Sequence, residues 1–75
     1  MELYKNLRRN SAIRAYEIAE KAIVVQFRNG AKYLYTYQST GEKAVEMMKE
    51  LAIQGKGLSS YISRVIRKRY AKKIF

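Results

Sequence analysis

Residues 27–37 read FRNGAKYLYTY, with Tyr33, Tyr35 and Tyr37 recurring at a spacing of two. On a strand that spacing puts three rings on one face. Turned outward beside positive charge, they form a stacking platform for nucleic-acid bases; turned inward, they form the aromatic half of a small core. The turn decides between the two. If Asn29-Gly30 is a two-residue type I′ loop, Val25 faces Leu34 and the tyrosines share the face of Val24 and Gln26. If a type I turn over Arg28-Asn29 is followed by Gly30 as a left-handed bulge residue, Val25 faces Tyr33 and Ile23 faces Tyr35.

The second register collects Ile23, Val25, Phe27, Tyr33, Tyr35 and Tyr37 on one face and leaves Val24, Gln26, Lys32, Leu34 and Thr36 on the other. It segregates apolar bulk better, and burying each large apolar side chain is worth about 1.5–3 kcal/mol. The tyrosine ladder is therefore expected to face the core, with Tyr37 partly accessible at the strand end.

Outward from this hairpin, AIVVQF over 22–27 is short and β-branched, as strands are. A first strand is expected over 11–18, although AIRAYEIA also suits a helical turn. Residues 1–10 are expected as a loose arm before a single domain spanning 11–75. Beyond the hairpin the period changes. Ser39-x-x-Glu42 has the form of a capping box, and Ala44, Val45, Met48, Leu51 and Ala52 form an apolar stripe that stops at Gly55. A second helix from Leu58 places Leu58, Ile62, Val65 and Ile66 on one side and Arg64, Arg67, Lys68 and Lys72 on the opposite side. The resulting fold class is α+β: a three-stranded antiparallel β-meander followed by two helices packed on one sheet face.

Charge bounds the function. Lys and Arg number 16 against 6 acids, all glutamates, for a net charge of +10 on 75 residues. Residues 58–75 carry six bases and no acid. Such a field favours polyanions and makes their binding salt-sensitive. The chain holds no His, Cys, Asp, Trp or Pro, which excludes disulfides, thiolate or imidazole metal sites and any nucleophile activated by histidine. No catalytic residue, metal or cofactor is expected.

The candidate nucleic-acid-binding residues are Arg64, Arg67, Lys68 and Lys72 on the last helix, with Arg8, Arg9 and Arg14 as a second group. Arginine adds forked contacts to phosphate. RNA is the favoured ligand, contacted at phosphates with little base specificity. A protein-interaction module using the open sheet face or the Ile74-Phe75 tail is the alternative, and a metal-independent ribonuclease or a membrane-surface helix is less favoured. The size is compatible with a homodimer. With no apolar leader and no run of membrane-spanning length, a cytoplasmic location is expected.

Ser11-x-Ile13, Tyr16, Phe27-x-Asn29-Gly30-x-x-Tyr33-x-Tyr35, the glycines Gly55 and Gly57, the pair Ile66-Arg67 and Tyr70 together resemble a KTSC-type domain. This small module is named for its occurrence at the C-terminus of lysyl-tRNA synthetases and also occurs as short stand-alone proteins. The resemblance runs from about Ser11 to Tyr70. Family members usually continue the last strand into Val-Pro, where this chain has Ser39, Thr40 and Gly41. The resemblance implies an RNA context by association and no particular activity.

Overall fold

The turn over Arg28-Asn29, with Gly30 as its bulge residue, sets the sheet. In a computed structural model that describes residues 1–7 and 11–75, the Phe27 N–H donates to the Ala31 carbonyl at 2.8 Å and the Gly30 N–H to the Phe27 carbonyl at 2.9 Å. Gly30 has φ +92°, which glycine reaches without a Cβ clash. The pairing that follows is Val25 with Tyr33 and Ile23 with Tyr35, the register with the inward ladder.

Strands β2 (Ile13–Ala19), β3 (Ala22–Phe27) and β4 (Lys32–Thr36) form the central meander. Two short strands extend it: β1 (Glu2–Leu3) pairs with β2, and β5 (Lys72–Lys73) pairs with β4. The sheet is thus five-stranded and antiparallel in the order β1-β2-β3-β4-β5, two strands more than the expected meander. Between Ile13 and Ala15 the β2–β3 register slips. That bulge lets Ile13 and Tyr16 both face the core, although they lie three apart.

Residues 1–7, expected as a loose arm, are tied down. Tyr4 is buried in the core, and its hydroxyl accepts from the Leu58 N–H. The Leu7 N–H donates to the Gly55 carbonyl at 2.8 Å. Gly55 sits at φ +80°, and a Cβ there would lie 2.5 Å from the Cβ of Lys5. The arm passes so close that only glycine fits beneath it. Arg8 and Arg9, two of the candidate binding residues, lie outside the described residues.

Three helices follow: α1 (Tyr37–Thr40), α2 (Glu42–Gln54) and α3 (Leu58–Tyr61), the last running into a π-helical turn over Ile62–Ile66. The capping box lies three residues earlier than the sequence pattern placed it. Thr36 Oγ1 accepts from the Ser39 N–H at 3.0 Å, and the Thr36 N–H donates to Ser39 Oγ at 3.1 Å. Ser39 is thereby committed to α1, so Tyr37 opens a helix instead of ending a strand. Gly41, at φ +103°, then separates α1 from α2. Helix α2 buries Val45, Met48 and Ala52 and packs against β3, β4 and α3.

The last helix departs furthest from its α-period reading. In the π-helical turn the Arg67 N–H bonds the carbonyl of Ile62, five residues back. This widened winding keeps Ile62 and Ile66 inside and rotates Val65 out to 47% exposure. Val65 is therefore not a core residue.

Within the core, Ile23 and Val25 are fully buried and Tyr35 is 1% exposed. Burial, then the neighbouring hydroxyls of Tyr33 and Tyr70, push the Tyr35 phenol up to about 12. Tyr37 also rises to about 12, chiefly because its hydroxyl donates to Glu46, with burial and nearby glutamates adding to the shift. Both phenols keep their protons in the folded chain after the unfolded chain, at about 10, has lost them. Their contribution to stability is complete below pH 10 and disappears as the pH rises towards 12. Thermal unfolding temperatures are expected to fall across that window, and to fall less in a Tyr35→Phe, Tyr37→Phe variant.

Candidate nucleic-acid interface

The sheet and the C-terminal segment enclose an open pocket of about 660 Å³. Its base is Tyr35 and Ile62, both buried; its walls are the half-buried Phe27, Tyr33 and Tyr70; at its mouth stand the exposed Arg28, Asn29, Arg67 and Lys68. Ser11, Ala12 and Ala31 complete the lining. Three separate segments build it: the residues leading into β2, the β3–β4 hairpin and the chain from Ile62 to Tyr70.

The aromatic rings pack edge to face and tilted. Phe27 and Tyr33 have centroids 5.6 Å apart at 80°, Tyr33 and Tyr70 are 4.6 Å apart at 52°, and Tyr35 and Tyr70 are 6.3 Å apart at 88°. Such pairs add about 0.5–1.5 kcal/mol beyond area burial and fix the ring planes that a ligand meets.

The chain reaches Tyr70 through a reversal at Arg67. Its φ of +54° and ψ of −117° are those of the first central residue of a type II′ turn, closed by the Arg69 N–H donating to the Ile66 carbonyl at 3.1 Å. Glycine is the residue this position prefers. An arginine held there carries strain of order 1–3 kcal/mol, and its side chain stands at the pocket mouth. Arg67→Gly removes the strain and adds an unfolded-state entropy cost of about 0.5–1 kcal/mol. The variant is expected to be about 1 kcal/mol more stable, read from the midpoint of urea unfolding.

Beyond the turn, Arg69 is used structurally. Its Nη2 donates to the Thr40 carbonyl at 2.9 Å, and Thr40 Oγ1 donates back to the Arg69 carbonyl at 2.6 Å. Thr40 is fully buried, so this reciprocal pair clamps the C-terminal segment to the α1–α2 junction. The Ala71 N–H then donates to the Leu34 carbonyl, and β5 begins.

The predicted cations are distributed differently from one helix flank. Arg64 is exposed on the π-helical turn, Arg67 and Lys68 lie past its end, and Lys72 is in β5 opposite Leu34. The π-helical turn ends at Ile66, so the four do not share a helix face. Arg14 is exposed at the β2 bulge. Among the described residues of the predicted set, only Arg67 and Lys68 line the pocket, where Arg28 joins them. Arg28 escaped the sequence reading because it belongs to the hairpin turn, although its place beside Phe27 in the favoured register was a usable signal. Tyr70 carried no local signal: its partners are 35 and 37 positions away.

Electrostatically the pocket is one-signed. None of the six glutamates lines it. Among the described residues the ion pair is Lys49–Glu46 at 2.9 Å, on α2. There Glu46 also accepts from Tyr37, and the two hydrogen bonds hold its carboxyl below the usual range. Among the described residues no group of three or more His, Cys, Asp and Glu gathers to hold a metal, and no helix is long and apolar enough to cross a membrane.

Seven positions that carry the resemblance to KTSC-type domains, Ser11, Phe27, Asn29, Tyr33, Tyr35, Arg67 and Tyr70, converge on this pocket. Comparison with protein-family models, curated proteins and solved structures finds no match to the chain.

Proposed function

We propose that this chain is a small KTSC-like module that binds nucleic acid, RNA in preference, through phosphate contacts made by cations around the pocket mouth. The observation that carries the reading is the lining: Arg28, Arg67 and Lys68 all line the pocket, and among the described residues no acidic side chain does. A phosphate placed there meets forked guanidinium donors and no like charge. Arg14, Arg64 and Lys72 are exposed outside the pocket and add to the positive field that a longer strand meets.

The module binds without turnover on this reading. A catalytic base needs a group titrating near the working pH, and the pocket offers neither carboxylate nor imidazole. Phosphate contacts position a strand and carry no sequence information, so unrelated sequences bind alike.

Salt dependence tests the proposal. Each phosphate neutralised on a single strand contributes about −0.7 to the slope of log K against log salt. Three contacts at the mouth give a slope of about −2, steeper if Arg64 and Lys72 also engage. Fluorescence anisotropy of a labelled oligoribonucleotide across a salt series reads it directly, and salt-independent affinity overturns the proposal.

A further inference from the structure

Phosphate contacts alone require neither the pocket nor its aromatic walls. An anion binds on an open cationic surface, yet here the cations edge a recess lined by Phe27, Tyr33, Tyr35 and Tyr70. At about 660 Å³ the recess is within the range of small-molecule sites. Its chemistry selects a ligand with two parts, a flat apolar group to lie against aromatic rings and an anionic group to stay at the mouth. A nucleotide has both. A purely anionic chain leaves the aromatic walls wet, and a purely apolar ligand leaves three cations without a partner.

We infer that the pocket takes one unstacked nucleobase of a single strand, from a loop or an end, while the adjoining phosphates rest on Arg67, Lys68 and Arg28. This rests on the nucleic-acid reading above and deepens it. The turn geometry supports the assignment. Arg67 occupies a position that glycine prefers, and the same turn delivers Tyr70 onto Tyr33 and Tyr35. One strained residue thus supplies an anion contact and sets an aromatic wall. Stacking is indifferent to base identity because every base has a π-face, so weak sequence preference is compatible with a base pocket. A paired duplex keeps its bases stacked and cannot fill it.

The test compares three ligands of equal length on the full chain: a single-stranded oligoribonucleotide, its abasic counterpart and a perfect duplex. The base-bearing single strand is expected to bind about 10-fold more tightly than the abasic strand. Tyr70→Leu is expected to erase that advantage. The wild-type comparison needs no variant, so a Tyr70→Leu chain that fails to fold leaves the test intact. In addition, titration with a nucleoside monophosphate is expected to shift the ring-proton resonances of Tyr33 and Tyr70. Equal affinity for base-bearing and abasic strands overturns the base pocket and leaves the phosphate reading standing. Tighter binding of duplex than single strand also overturns the base pocket. Failure of all three ligands to bind overturns both readings.

Discussion

Tyr35→Ala is expected to lower the unfolding free energy by about 3–5 kcal/mol, the usual cost of truncating a large core aromatic. Tyr35 is 1% exposed and sits opposite Ile23, which is fully buried. At about 0.05–0.15 kcal/mol per residue, a chain of 75 residues has only about 4–11 kcal/mol in total. At the low end of that range the variant is unfolded at ordinary temperature and at the high end it keeps more than half its stability, and urea denaturation followed by circular dichroism measures the loss. Tyr33→Ala serves as the internal comparison. Its ring is half-buried and partly given to the pocket, so a smaller cost of about 1–2 kcal/mol is expected. A loss below 1 kcal/mol at Tyr35 would sink the inward register and restore the tyrosines as an exposed platform.

The second large effect concerns binding. Replacing Arg28, Arg67 and Lys68 together by Gln removes three phosphate contacts on the proposed reading. At about 0.1 M salt this is expected to weaken oligoribonucleotide binding by about 100-fold and to make the salt slope shallower by about 2. The loss should be similar for unrelated sequences. All three side chains are exposed, so the substitutions at Arg28 and Lys68 should shift stability by no more than about 0.5 kcal/mol each. Gln at position 67 keeps the strained backbone and does not confuse the result with strain relief. Changing Arg64 and Lys72 instead is the control for a diffuse field: these two lie outside the pocket, and their loss is expected to cost less. Unchanged affinity in a correctly folded triple variant would reduce the pocket mouth to a solvated surface.

The Tyr35→Ala and Tyr33→Ala variants separate what the aromatic residues do. Tyr35 is needed for the core, whereas Tyr33 and Tyr70 stand between core and pocket. The opening alternative of core or platform is thus divided along the chain. Alternation put Tyr33 and Tyr35 on one face, but the depth of each was set by what lies above it. Helix α2 packs against β4, and Ile62 joins Tyr35 at the base of the pocket; the end of the sheet near the hairpin turn is left to the C-terminal segment, which leaves Tyr33 half-buried.

By itself the sequence determined whatever depends on neighbours a few residues apart. Asn29-Gly30 and the flanking apolar alternation specified the hairpin and its register, because slipping by one residue moves every apolar side chain to the wrong face. The stripe from Ala44 to Ala52 with Gly55 behind it specified α2, because helical spacing brings those positions to one side. The absence of acids after residue 57 marked the positive end. Tertiary structure decided the rest. Strands β1 and β5 are two residues each and carry no period to read; they exist because β2 and β4 offer free edges. Tyr4 enters the core through a bond to Leu58, 54 positions away. Thr36 displaced Ser39 as the helix cap because Gly41 breaks the helical run. Val65 turned outward when the chain widened into a π-helical turn, a change of phase that α-helical spacing does not anticipate. The pocket is of the same kind: Phe27, Arg67 and Tyr70 are brought together only when the turn at Arg67 folds the C-terminal segment back over the hairpin, and no local pattern encodes a contact of that range.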